Sequence, residues 1–209
     1  LKLMYNLEQY LAKLTGFDAV TLQPAAGAHG ELAGMLMIHA YHAKMGKQRS
    51  KIIIPDTAHG TNPASASLCG YDSINIKSGD NGILEPLAVA AVMDEETAGI
   101  MVTNPNTLGL FESNIKEIAD IVHSKGGLVY GDGANMNAIM GIVKPGEIGV
   151  DVLHFNLHKT FSTPHGGGGP GSGPVAVGKT LEPFLPVPRI VKELDSYKLV
   201  TDFSDTMEI

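Results

Sequence analysis

Apolar side chains recur at helical spacing from the start of the chain. Leu3, Leu7, Tyr10, Leu11 and Leu14 share one face, and Gly16 follows as a stop signal. Residues 30–45 form a second helical stretch that is apolar almost all round (Leu32, Met35, Leu36, Ile38, Ala40, Ala43). That pattern predicts a helix buried between other elements. Apolar runs of strand length occupy residues 51–55, 72–77, 98–103, 127–131, 151–155 and 174–177. Residues 112–125 place Ile115, Ile118, Ile121 and Val122 on one helical face, with Ser113 as the cap and Gly126 and Gly127 as the end. Short apolar strands separated by helices predict an α/β fold with a mostly parallel sheet and flanking helices.

In such a sheet, ligands sit beyond the carboxyl ends of the strands. The unusual residues fall there: residues 55–60, 103–109, 132–137 and 156–173 each follow a predicted strand. From Ile190 onward the periodicity fades and charge increases. We expect residues 1–189 to form the large domain, and residues 190–209 to lead out toward a C-terminal small domain. The chain opens without Met and inside a helical pattern, so the large domain is expected to be incomplete at its N-terminus.

Composition narrows the choices. The chain has 209 residues, enough for one sizeable α/β core. Its formal net charge of −7 excludes the basic stripe of a nucleic-acid groove. No run of 18 apolar residues is present, so no transmembrane helix is expected. The single cysteine, Cys69, cannot form an internal disulfide and lies in an apolar stretch, which predicts a packed core thiol. The histidines are scattered without metal-ligand spacing, so no metal site is expected; His39 and His42 read as structural residues of the second helix.

Lys159 stands in HFNLHKTF directly after a strand, among apolar and aromatic residues. A partly desolvated lysine there has a lowered pKa and is a usable nucleophile toward a carbonyl. Asp132 ends the preceding strand in VYGDGAN. Between two glycines it reads equally as a turn cap. A lysine nucleophile and an aspartate on neighbouring strand ends are, however, the arrangement pyridoxal phosphate needs: the lysine carries the cofactor as a Schiff base, and the carboxylate keeps the pyridine nitrogen protonated. QPAAGAHGE puts small residues, Gly27 and Ala28, at a helix start, where backbone N–H groups and the helix dipole favour a phosphate. His59, in AHGTNPASA, reads as a loop histidine or as a flat ring stacked on a flat cofactor. Gly166, Gly168 and Gly171 match G-x-G-x-x-G by count, but no acidic partner or βαβ unit accompanies them. A close-approach loop beside Lys159 is the better reading.

Four segments carry a family resemblance: LQPAAGAHGE (22–31), AHGTNPASA (58–66), YGDGANMNA (130–138) and FNLHKTFSTPHGGGGPGSGPV (155–175). Together they resemble glycine decarboxylase, the P-protein of the glycine cleavage system, and most closely subunit 2 of its two-subunit form. The resemblance implies a fold type I large domain, as in aspartate aminotransferase. Lys159 would carry the cofactor, Asp132 would pair with its ring nitrogen, and His59 and Ala134 would pack on opposite faces of the ring. Gly27, Ala28 and His158 would lie near the phosphate, with Thr103, Asn104 and His165 lining the site. It also implies glycine as substrate, and the lipoyl H-protein and subunit 1 as partners. The location would be cytoplasmic for the two-subunit form and mitochondrial for a single-chain eukaryotic one. A different fold type I pyridoxal-phosphate enzyme (aminotransferase, desulfurase or aldolase), or a non-catalytic partner subunit, is the alternative.

Overall fold

The structure is a computed structural model that describes residues 1–165, 169 and 171–202. Helix α1 (Lys2–Thr15) ends at Gly16, whose left-handed backbone (φ 75°) closes the helix as its position predicts. Strand β1 (Ala19–Thr21) leads to α2 (Gly27–Lys44), then β2 (Lys51–Pro55) and α3 (Thr61–Leu68). Next come β3 (Asp72–Ile76), α4 (Pro86–Val92), β4 (Thr97–Thr103), α5 (Ile115–Ser124) and β5 (Leu128–Gly133). After β6 (Val152–Phe155) follow a one-turn α6 (Leu157–Thr160) and β7 (Val175–Val177). A hairpin, β8 (Arg189–Glu193) and β9 (Ser196–Val200), completes the described chain.

Seven strands form one sheet in the order β1-β7-β6-β5-β4-β2-β3. Strands β2 to β6 run parallel, and β7 lies antiparallel between β6 and β1. The sheet is covered on both faces, which is why its central strands read as unbroken apolar runs. One face packs Ile53, Ile100, Val102 and Val129 against α1, α4 and α5 residues such as Leu11, Val89 and Ile118. The other packs Ile52, Met101, Tyr130 and Val152 against Met35, Met37 and Ile38 of α2 and Ala66 of α3.

Several expectations need adjustment. Helix α2 is buried against the sheet, but Leu36 remains half exposed because only one side of it meets the strands. Helix α5 starts at Ile115, and Asn114, not Ser113, occupies the cap position. Glu112 precedes it and is buried, accepting hydrogen bonds from the Leu84 N–H (2.7 Å) and the Asn106 amide (2.8 Å). Its carboxylate is committed to closing the loop, which keeps that residue out of the helix. Residues 189–200 form a regular hairpin where the sequence shows no clear period; Tyr197 packs on Tyr5 of α1, ring centroids 5.3 Å apart. Cys69 is buried, and desolvation pushes its thiol pKa up, as a core thiol requires. His42 bonds the Ala98 carbonyl (2.9 Å), a structural role tying α2 to β4.

Candidate active site

Because β2, β4, β5 and β6 are parallel, their carboxyl ends deliver the following loops to one rim. An open cavity of about 280 Å³ lies there, lined by residues that include Ala26, Gly27, Ala28, Glu31, His59, Asp132, Ala134, Asn156, His158, Lys159 and His165. Eight of the ten residues singled out for the site therefore share one concavity: Lys159, Asp132, His59, Ala134, Gly27, Ala28, His158 and His165.

Asp132 lies within β5, and its side chain is almost fully buried (2% exposed). Its Oδ1 accepts the Ala134 N–H at 2.9 Å and faces His154 Nε2 at 3.5 Å. Thr103, Asp132 and His154 are consecutive rungs across β4, β5 and β6. Thr103 is thus beside Asp132, but it is buried with its hydroxyl unpartnered and does not line the cavity. Asn104, also expected at the site, turns away: its Oδ1 accepts the Glu112 N–H (3.0 Å).

Lys159 stands in the single turn of α6, which follows directly on β6. The apolar sequence around it predicts partial desolvation, yet Lys159 is exposed. Its apolar neighbours Phe155 and Leu157 turn inward into the core, leaving the lysine on the rim side. His59 is likewise exposed, its Nδ1 accepting the Thr61 N–H at 3.2 Å. Opposite them, α2 opens at Gly27 with no side-chain cap, so its first N–H groups face the cavity as an anion-binding terminus. His158 and His165 meet edge to face (4.3 Å), and burial, then the positive neighbours His165 and Lys159, lower the His158 pKa. Gly171 has φ 71°, and a Cβ there would lie 2.2 Å from His158 Nδ1, so at this residue the chain makes the expected close approach beside the lysine turn. Gly166 and Gly168 lie outside the described residues.

Three participants escaped sequence reasoning. Glu31 enters the site from the second turn of α2, buried to 4% exposure, with Oε2 unpartnered. Burial, reinforced by the Asp132 charge and opposed by Lys159, pushes its pKa up to about 8. His154 is 1% exposed, and burial lowers its pKa against the pull of Asp132 and Asn156. Tyr130 is fully buried, its hydroxyl 2.6 Å from His154 Nδ1 and its pKa raised by desolvation. Glu31, Asp132 and His154 each bring one donor atom within 4.8 Å of the others. The available signal was periodic: Tyr130 shares the strand face of Asp132 two residues on, and Glu31 follows Gly27 by one helical turn.

A pyridoxal phosphate group fits these donors: a cationic ring nitrogen finds Asp132, a phosphate finds the uncapped helix start, and a carbonyl finds the Lys159 amine. Comparison with known proteins gives the same direction. At 60% identity, 97% of the chain aligns with a probable glycine dehydrogenase (decarboxylating) subunit 2 of Alkaliphilus oremlandii. The similarly named protein of Caldanaerobacter subterraneus is 61% identical over 97% of the chain. The chain spans 42% of the length of each of these relatives. Among solved structures, a glycine decarboxylase (P-protein) of the glycine cleavage system, in inhibitor-bound form, superposes with TM-score 0.77 at 20% identity. That match covers 96% of this chain and 45% of the other. An Oryza sativa TDC with PLP and tryptamine shares the fold at TM-score 0.67 and 15% identity, over 85% of this chain and 44% of that one. The family model of the glycine cleavage system P-protein matches residues 1–194, and the chain belongs to that family.

Proposed function

We propose that this chain is the pyridoxal-phosphate-binding part of a glycine dehydrogenase (decarboxylating), corresponding to subunit 2 of the two-subunit enzyme. The observation that carries this reading is the convergence of Lys159, Asp132, His59 and the start of α2 on one cavity, in a chain of the P-protein family.

When bound, pyridoxal phosphate supplies an electrophilic carbonyl for an amine and an electron-withdrawing ring that takes up the electron pair left when a carboxylate departs as CO2. Lys159 would hold the cofactor covalently through its amine, and that amine, once free, would move a proton at the substrate carbon. Asp132, as a buried carboxylate, keeps a proton on the ring nitrogen by charge. His59 would stack on the cofactor ring, and Ala134, small enough to allow close approach, would pack against it. Gly27 and Ala28 offer backbone N–H groups to the phosphate without side chains in the way. The aminomethyl carbon would bond to one sulfur of the H-protein's lipoyl disulfide as the S–S bond breaks and the other sulfur becomes a thiol, and subunit 1 would complete the assembly. We place the enzyme in the cytoplasm, as expected for the two-subunit form.

Lys159→Ala tests the reading. The visible absorbance of the lysine-bound cofactor should disappear, along with exchange of labelled bicarbonate into glycine in the full assembly with H-protein. An unchanged spectrum in that variant overturns the assignment.

A further inference from the structure

Beneath the Asp132 carboxylate lies a buried pair that the family comparison does not explain. Tyr130 and His154 stand on adjacent strands with rings stacked at 17°, centroids 6.0 Å apart. The His154 ring is bonded at both ends. Nδ1 meets the Tyr130 hydroxyl at 2.6 Å. Nε2 faces two oxygens, Asn156 Oδ1 at 3.4 Å and Asp132 Oδ1 at 3.5 Å. Two acceptors require that Nε2 carry the hydrogen. In a neutral imidazole Nδ1 is then the acceptor, and the Tyr130 O–H donates. The tautomer is thereby fixed from the tyrosine end.

The same contacts orient the carboxylate. Asp132 Oδ1 takes the Ala134 N–H and faces the His154 N–H, while Oδ2 has no hydrogen-bond partner among the described residues. The titratable groups around the pair are Glu31 from α2, Asp132 from β5, Lys159 from α6 and His59 from the loop after β2. Helix α2 seals the arrangement. A Cβ at Gly34 would come 2.7 Å from the Tyr130 ring, and one at Gly30 would come 3.0 Å from His154 Cβ, so the helix backbone itself is the lid over both rings.

We propose that Tyr130 and His154 form a positioning relay: the Tyr130 O–H donates to His154 Nδ1 at 2.6 Å, which turns the His154 Nε2–H toward Asn156 Oδ1 (3.4 Å) and against the Asp132 carboxylate (3.5 Å), and this polar contact holds one carboxylate oxygen so that the other meets the cofactor's ring nitrogen. This deepens the proposed cofactor site and rests on it. The relay sets the positive end of one N–H dipole against the Asp132 carboxylate, 3.5 Å away. Losing it frees the carboxylate to rotate and weakens its hold on the ring-nitrogen proton.

Two substitutions separate the two ends of the imidazole. A glutamine amide reaches the place of Nε2, so His154→Gln keeps the donor to Asp132. An asparagine amide reaches only Nδ1, so His154→Asn keeps the tyrosine contact and loses the donor. In the full chain, pyridoxal phosphate affinity is measured by absorbance titration, and the protonation of its ring by the ¹⁵N shift of ¹⁵N-labelled cofactor. His154→Asn should weaken binding about tenfold and move the ring nitrogen toward its unprotonated shift. His154→Gln should stay within about threefold of wild type and keep the protonated shift. Should both unfold, Tyr130→Phe, which deletes only the hydroxyl, is expected to weaken binding severalfold with a partial shift change. Equal losses in Asn and Gln, the reverse order, or a Tyr130→Phe variant identical to wild type overturns the relay. Failure of the wild-type chain to bind the cofactor would instead overturn the cofactor reading itself.

Discussion

At the scale of single residues, the site separates charge from neutrality by burial. Asp132 and Glu31 are both carboxylic acids in one cavity, and two charges at this separation are costly where water is sparse. Glu31, with a folded pKa of about 8 against 4.5 in its ordinary state, is the acid that stays protonated. A raised acid pKa means that the folded state binds the proton more tightly. Its contribution is therefore intact below pH 4.5 and is lost progressively as pH rises to about 8. Glu31→Gln should remove that slope and be the more stable protein at pH 8 by on the order of 3 kcal/mol, as read by denaturant titration at several pH values. Asp132→Asn keeps the shape and removes the charge. In the full assembly it should retain cofactor yet lose about a hundredfold in glycine–bicarbonate exchange; near-normal exchange would refute the electrostatic role of Asp132.

At the scale of elements, α2 carries more than its apolar pattern suggests. Its start offers N–H groups to the cavity, its second turn delivers Glu31, and its middle presses on Tyr130 through Gly34. Gly34→Ala should cost roughly 1–3 kcal/mol, because the new methyl meets a rigid buried ring at 2.7 and 2.9 Å; a melt indistinguishable from wild type would show that the helix can shift away. The sequence told the long elements well, since β2, β4, β5 and α2 are dense in apolar residues. It missed β1 and β7's partnership and the β8–β9 hairpin. Three-residue strands carry too few positions for a period, and the hairpin strands, RIVKE and SYKLV, mix charged and apolar residues without alternation in a largely exposed setting. Lys159 and Asp132 were legible because each follows a strand in unusual company. Glu31 and Tyr130 had a weaker signal, their spacing from Gly27 and Asp132, and with His154 their roles arise only where three elements meet, a meeting no local pattern encodes.

At the scale of the whole molecule, the cavity is walled on the sheet side and open on the other, with Lys159 and His59 exposed. Water in an open site screens each electrostatic contact and can protonate a carbanion. Pyridoxal phosphate should accordingly bind this chain more weakly than it binds the full-length relatives, and the chain alone should not catalyse bicarbonate exchange. Comparing cofactor titrations of the two under one buffer checks this; equal affinities would show that the remaining wall is dispensable.

The place of β7 between β6 and β1 also sets an order of events during synthesis. Val20 emerges early from the ribosome, but its partner Ala176 appears only after every other strand of the large sheet has been made. Until then β6, the strand that bears the lysine turn, is an unpaired edge of buried-type residues, and β1 has no sheet to join. Closing so distant a contact is slow, and an uncovered apolar edge invites pairing with other chains. A chain terminated before Val175 should thus accumulate as insoluble aggregate, whereas one carried through Val177 should remain soluble; sedimentation of the two translation products distinguishes them. The part of the active-site rim carried by β6 is, on this view, secured only once β7 has docked beside it.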